Sequence, residues 1–482
     1  MTTARRPEPI ADGTGPPHRA ARPGRGGPRA VRRLALLLAG TLVLAAACGG
    51  DDDGAGDDGA AEGATLRVPE DHDTIQAAVD AAEPGDLVLV APGTYEEAVN
   101  VETDELTIRG LDRNEVVLDG GFEKDNGIRV VGANGVAIEN MTARNYTNNG
   151  FFWTGVEGYR GSYLTTYRTG DYGVYAFDST KGLLEHSYAS GSPDAGFYIG
   201  QCFPCDAVID DVVSEYNGLG YSGTNSGGNL LIVNSTFRYN RAGIVPNSGS
   251  YELCYPERDT TIVGNTVYSN NQPDTPAIDV ALLAMGNGIL PAGGVGNTIE
   301  RNLVYDHDRT GIGLVPFPEE DANDDIPPPE DDERPCAETI DEAPADPATL
   351  PDLLIWNPRD NRVAGNVVED SRLADIAVGS LEDVSGLGNC FADNTFATSA
   401  PLDLEALAPC EGEGSDGDWS AGAVDLAALM LAEHPPAGDY KTAPVPEPQE
   451  NMPDAESAPA RPATGEPPSV DLDAIEVPSK TS

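Results

Sequence analysis

Asp171 and Asp194 lie 23 residues apart, and Asn148 precedes Asp171 by the same interval. Four positions after these three stand Phe152, Tyr175 and Tyr198, and Arg129 continues that second set one step earlier. If residues one repeat apart are neighbours in space, the two sets are parallel columns bordering one groove. Two close carboxylates are the equipment of general acid/base chemistry, and they can also bind calcium. Exposed aromatic rings stack on the apolar faces of sugar rings, while Arg and carboxylates grip hydroxyls or acidic groups. The columns therefore read as a carbohydrate-binding groove. Asp171 and Asp194 are its candidate catalytic residues, and Arg129, Phe152, Tyr175, Tyr198 and Asn148 its candidate substrate-binding residues. The alternative is an aromatic ladder that only ties neighbouring strands, with Asp present because Asp favours turns.

The positioning elements follow from the repeat. Gly followed by an apolar residue recurs at Gly127, Gly150, Gly173, Gly196, Gly220, Gly243, Gly288 and Gly311. A second landmark, rich in Asn, recurs some 13 residues later at Asn140, Asn234, Asn265, Asn302, Asn366 and Asn394. Tyr163, His186 and Asp211 fall in that register between them. Such periodicity marks a solenoid, in which single coils cannot bury an apolar face but stacked coils share one core. Parity places Ile128, Phe151, Val174, Phe197, Tyr221, Ile244, Ile289 and Ile312 inward, with Val130, Trp153, Ala176 and Ile199 two positions on. Stacked Asn side chains can hydrogen-bond in ladders.

These features resemble the right-handed parallel β-helix of the pectin lyase-like superfamily, an all-β solenoid. The segment Asp73-Thr-Ile-Gln-Ala-Ala-Val-Asp-Ala-Ala82 followed by Pro84-Gly-Asp-Leu-Val-Leu-Val-Ala-Pro-Gly-Thr-Tyr95 strengthens the resemblance. It implies a capping helix with Ile75, Ala78, Val79 and Ala82 on its apolar side. The resemblance covers about Thr65 to Thr398 and implies fold more firmly than activity. Members that cleave uronate polysaccharides do so by β-elimination, with a base and a charge-stabilising cation such as calcium. By that resemblance Arg129, Arg168 or Arg241 would supply the base. The Asp-Pro-His motif of alginate epimerases is absent. His186 reads as structural, and His307 as a turn residue. The β-helix proteins of nitrous oxide reductase maturation are also similar, but copper needs His, Met and Cys clusters, and the 5 His and 5 Met form none in sequence. Two functions stand: an extracytoplasmic polysaccharide lyase, hydrolase or epimerase, and a non-enzymatic glycan-binding or structural lipoprotein.

Residues 1–47 read as an export signal. They carry 8 Arg and 2 acids, and end in the apolar run Leu34 to Ala47. Fourteen residues fall short of the ~20 that span a bilayer. Leu44-Ala-Ala-Ala-Cys48 resembles a bacterial lipobox, which makes Cys48 the lipidation site and a lipid anchor the only membrane contact. Residues 48–64 read as an acidic tether. Of the chain's 29 Lys+Arg and 80 Asp+Glu, 21 and 78 lie beyond residue 47, a net −57. So acidic a protein is ill suited to nucleic acid.

The β-helix is expected over 65–410, with inserts near 248–286 and 317–351. The second contains Asp321-Ala-Asn323-Asp-Asp325, which lacks the Gly and Glu of a calcium-binding loop. Residues 411–482, beyond a short helical pattern at Ala423 to Glu433, read as a mostly disordered tail. Without Cys48, six cysteines remain for an oxidising compartment. Cys202 and Cys205 precede a strand rather than a helix, which favours a local disulfide over a redox pair. Cys254 with Cys336 and Cys390 with Cys410 are the expected partners among fifteen possible pairings.

Overall fold

The computed structural model describes residues 63–320 and 353–480. The signal segment, Cys48, most of the tether, Cys336 and the Asp321–Asp325 run lie outside the described residues.

The chain winds as a parallel β-helix. A representative coil runs Thr180–Glu185, Tyr188–Ser190, then Ala195–Gly200. The first two strands join a twenty-stranded sheet and the third a seven-stranded one. Pairing between coils is parallel: Phe151 pairs with Val174, Val174 with Phe197, and Phe197 with Tyr221. An antiparallel pair, Phe317–Glu320 with Leu353–Trp356, flanks the segment that is not described. Every inward position named above is at most 1 % exposed. Gly161 leaves room in the interior for its neighbours: a Cβ there would lie 2.9 Å from Leu164, 3.1 Å from Leu184 and 3.3 Å from the Trp153 indole.

The repeated glycine has a steric cause. A Cβ on Gly150 would sit 2.7 Å from the carbonyl oxygen of Gly173, and one on Gly173 2.6 Å from that of Gly196. Coils approach too closely at this corner for any side chain.

The Asn landmark divides into two columns offset by one residue. Asn140, Tyr163, His186, Asp211 and Asn234 occupy left-handed corners, with φ of 55°, 53°, 48°, 52° and 49°. Asn and Asp tolerate that conformation, and the bend it makes separates the two strands of the large sheet. Asn265, Asn302, Asn366 and Asn394 lie one position later and point inward. Each of the first three donates from Nδ2 to Oδ1 of the next at 2.9–3.0 Å. A separate ladder runs from Asn217 through Asn240 and Asn270, and Asn270 Nδ2 donates to His307 Nε2 at 3.3 Å. His186 is therefore a corner residue rather than a ladder residue, and His307 is a buried ladder rung rather than an exposed turn.

The helix Ile75–Ala81 forms as expected. Thr74 caps it by accepting from Ala77 N, and Ile75, Ala78 and Val79 are buried. Cys202–Cys205 and Cys390–Cys410 are disulfides. Cys254 is also disulfide-bonded, while its expected partner Cys336 is outside the described residues.

The tail departs from expectation. Residues 411–480 lie along the solenoid as a strap, with one helical turn at Leu426–Met430. Solenoid guanidinium groups grip its backbone. Arg241 donates to the carbonyls of Pro435 and Pro436, and Arg168 to that of Ala443. Arg113 donates to Glu450, Arg109 to Ala458 and Pro459, and Arg301 to Leu472. Val470, Leu472 and Ile475 then pack on Leu183, Val208, Val233 and Val263.

Candidate functional site

The two sequence columns are real neighbours on the outer side of the seven-stranded sheet. Arg129 pairs with Phe152, Phe152 with Tyr175, and Tyr175 with Tyr198. Asp171 N donates to Asn148 O at 3.0 Å, and Asp194 N to Asp171 O at 3.2 Å. The two aspartates thus occupy equivalent positions in successive coils.

The aromatic column is closed on itself. Phe152 and Tyr175 stack at 5.1 Å and 8°, Tyr175 and Tyr198 at 4.8 Å and 18°. Arg129 covers the remaining face of Phe152 at 5.7 Å. Tyr198, expected to be exposed, is 1 % exposed. Its hydroxyl donates to Glu252 at 2.8 and 2.9 Å. Ring faces are spent on one another, so the rungs serve as a cross-strand ladder. What the column offers a ligand is ring edges and hydroxyls.

Tyr172 and Glu252 complete the cluster, and neither was singled out from the sequence. Tyr172 packs 4.6 Å from Tyr175 and 4.8 Å from Tyr198. It lies between two residues that were noticed, Asp171 and Gly173. Glu252 comes from the first insert, outside the 23-residue register, so periodicity carried no signal for it.

The acids sit in a poorly solvated, anionic neighbourhood. Burial pushes Asp171 up to about 6. Burial, then the charge of Asp171, pushes Asp194 up to about 8 against a hydrogen bond from Tyr172. Glu252 rises to about 8 through burial and the charge of Asp194, opposed by the Tyr198 hydrogen bond. Among the described residues, no Lys or Arg forms an ion pair with any of these three. Two like charges in one buried pair resist joint ionisation, so the pair holds a proton more firmly than free carboxyls do, Asp194 more than Asp171.

The other candidates are placed elsewhere. Arg168 and Arg241 hold the strap, and Arg241 is fully buried. His186 Nδ1 lies 2.7 Å from Asp211 Oδ2 and its ring 4.7 Å from Tyr163. His307 is 1 % exposed, and burial pushes it down to about 3, which keeps it neutral. Among the described residues, no group of three or more His, Cys, Asp or Glu side chains is arranged to hold a metal ion.

The family described as the right handed beta helix region matches residues 126–316. The match spans the coils that carry both columns. The sequence matches no curated protein. Solved structures with a similar fold include the AlgE4 A-module of the Azotobacter vinelandii mannuronan C-5 epimerase. It is 14% identical, with 70% of this chain and 93% of that chain covered and a TM-score of 0.41. Pectate lyase Pel9A is 13% identical over 82% of this chain and 91% of its own, with a TM-score of 0.39. An alginate lyase from Paenibacillus sp. is 13% identical over 70% and 99%, with a TM-score of 0.36. Likeness this distant carries no residue role over to this chain.

Proposed function

We propose that this protein binds a polysaccharide across the outer side of the seven-stranded sheet and hydrolyses it with Asp171 and Asp194. The observation that supports the reading is a pair of aspartates in equivalent positions of successive coils, both pushed up by burial and Asp194 further by the charge of Asp171. Asp194 keeps its proton at neutral pH and can give it to the leaving glycosidic oxygen, while Asp171 meets the anomeric carbon or its attacking water as a carboxylate. Equivalent positions in successive coils lie ~4.8 Å apart. β-Elimination would need a cation at the developing charge; among the described residues no Lys or Arg forms an ion pair with this cluster, so that cation would have to be supplied from outside the chain. Calcium enters no step of this scheme; its place as a cofactor is tested by the chelator arm below.

Export and lipid anchoring through Cys48 belong to the same proposal. They rest on residues 5–48 of the sequence alone. Cys48→Ala should release the protein from membranes into the medium.

The test is an assay of new reducing ends on neutral and uronate polysaccharides, with calcium and with chelator. Ultraviolet absorbance of an unsaturated product runs in parallel. The expected outcome is new reducing ends on a neutral glycan, unaffected by chelator and without the unsaturated product. Asp171→Asn and Asp194→Asn should each lower the rate at least about 100-fold. Unsaturated product from a uronate chain would overturn hydrolysis in favour of lyase chemistry. Retention of polysaccharide without cleavage would leave the binding reading alone.

A further inference from the structure

The outward column that carries Phe152, Tyr175 and Tyr198 does not stop at the acid cluster. Tyr198 pairs with Ser222, and Ser222 with Val245. The bridges Ile244–Ile289 and Ile289–Ile312 bring Leu290 and Gly313 next in line, and Gly313 pairs with Ala377. Along these later coils the rungs turn from aromatic to aliphatic and shrink. Gly313 brings no side chain to the row: a Cβ there would crowd Thr310 Oγ1 at 2.5 Å and Leu290 at 3.1 Å. The helix Asp279–Ala284 of the first insert packs Ala281 and Ala284 on Val245 and Leu290, and the helical turn Leu426–Met430 of the tail lies beside it. Between these two and the sheet is a cavity of about 80 Å³, lined by Val245, Val280, Leu283, Leu290, Leu429 and Met430 among others. One water needs ~10–15 Å³ of such space, so there is room for about five to eight heavy atoms.

Three lining side chains are polar: Asn287, Thr310 and Arg309. Two of them are committed to each other. Thr310 Oγ1 donates to Asn287 Oδ1 at 2.7 Å, and Asn287 Nδ2 to Ala284 O at 2.8 Å. Arg309 is not committed. Its Nη1 donates to Leu283 O at 2.7 Å, and among the described residues its guanidinium makes no other hydrogen bond and no ion pair. A guanidinium has five N–H donors, so most remain unspent. The adjacent Asp308 pairs with Arg372 instead. Burial lowers the Arg309 pKa, as it does for a cation without a counter-charge. In a chain of net charge −51 the acids to pair it are plentiful, yet none is placed there. An anion with an apolar body answers both the aliphatic walls and the unpaired cation.

We propose that this cavity binds a linear aliphatic monocarboxylic acid of about six to eight carbons, its chain among the aliphatic walls and its carboxylate on Arg309. An esterified acyl chain fills the same walls but brings no charge to Arg309. An alkylammonium brings like charge. A much shorter acid keeps the charge and leaves the walls unfilled. The proposal is independent of hydrolysis at Asp171 and Asp194.

Calorimetric titration of the full chain with octanoate, methyl octanoate, octylammonium and butanoate tests it. Octanoate is expected to bind at least tenfold tighter than each of the other three. Arg309→Gln should bring octanoate down to the affinity of methyl octanoate while methyl octanoate binds as before, which shows the cavity intact. Leu429→Asp, in the tail rather than in a coil, should weaken both at least tenfold. Asp171→Asn should keep full affinity for octanoate, which separates failure here from failure of the hydrolytic reading. Equal binding of octanoate and its methyl ester, butanoate matching octanoate, or an unchanged preference in Arg309→Gln would overturn the assignment.

Discussion

Asp194→Asn should make the protein more stable, and by an amount that grows with pH. Asp194 is 8 % exposed, and its folded-state proton affinity is raised from 3.8 to about 8 by burial and then by the charge of Asp171. Below pH 3.8 both folded and unfolded chains hold this proton, and its titration costs nothing. Between 3.8 and 8 the unfolded chain has released the proton and the folded chain has not, so rising pH favours unfolding. The slope is ~1.36 kcal/mol per pH unit for one proton. From pH 5.5 to pH 7.0 the wild-type chain therefore loses about 2 kcal/mol at this position. Asparagine cannot ionise, and its carbonyl can still accept from Tyr172. Glu257, pushed up to about 8 chiefly by burial, remains in both proteins and cancels in the difference, while Glu252, raised in part by the charge of Asp194, is replaced by Gln in both proteins compared. Guanidinium unfolding followed by fluorescence at pH 5.5, 7.0 and 8.5 reads the effect. The variant's advantage should widen by about 2 kcal/mol over the first interval. Parallel pH profiles for the two proteins would show that Asp194 ionises normally when folded, and the acid/base assignment would fall with it.

Three further outcomes follow from the same geometry. Hydrolytic activity should follow a bell in pH with limbs near 6 and near 8, the values to which Asp171 and Asp194 are pushed; a single limb would refute the paired roles. Tyr198→Ala should cost about 3–5 kcal/mol in unfolding free energy, the range for buried aromatic truncations, because Tyr198 is a buried rung bonded to Glu252. A purely ligand-facing ring would cost almost none. Asn114→Ala should leave the solenoid's melting unchanged within a few degrees while speeding amide hydrogen exchange at Gln449, whose N–H donates to Asn114 Oδ1 and whose carbonyl accepts from Asn114 Nδ2; unchanged exchange would show that these contacts do not secure the strap.

What could be read from the sequence was whatever the coil period enforces. Ile128, Phe151, Val174 and Phe197 share a parity and a 23-residue step, and sheet geometry turns that directly into a buried stack. The same step carried Asn148, Asp171 and Asp194 to adjacent positions. Period alone does not say what covers a face. Tyr198 belongs to the outward column, yet Glu252 and the first insert close over it, and an insert has no register to extrapolate. A one-residue offset was also invisible. Asn234 and Asn265 look alike in sequence, but one takes a left-handed corner and the other an interior rung. The difference is which residue takes the left-handed corner: Asn234 takes it itself, whereas the residue before supplies it at Gly264, Arg301, Gly365 and Asp393.

The tail shows why composition misjudged order. Residues 435–475 are rich in Pro and poor in large apolar side chains, so by burial alone they have little reason to settle. Proline, however, removes a backbone donor and keeps the carbonyl, so a Pro-rich chain offers acceptors in excess. Extended backbone of that kind leaves its carbonyls unpaired within the segment. Guanidinium is the complementary group, with five donors and no acceptor. The solenoid places Arg241, Arg168, Arg113, Arg109 and Arg301 along the strap's course, and each donates to its carbonyls. Arg109 alone among the five also pairs with the buried carboxylate of Glu139. Arg301 also pairs with Glu300 of its own coil, while Arg241, Arg168 and Arg113 spend their charge on neutral oxygens, in a chain with 80 acids available. Carbonyl contacts thus fix most of the strap's path, with Lys181–Glu466 and Lys480–Glu369 adding an ion pair of each polarity.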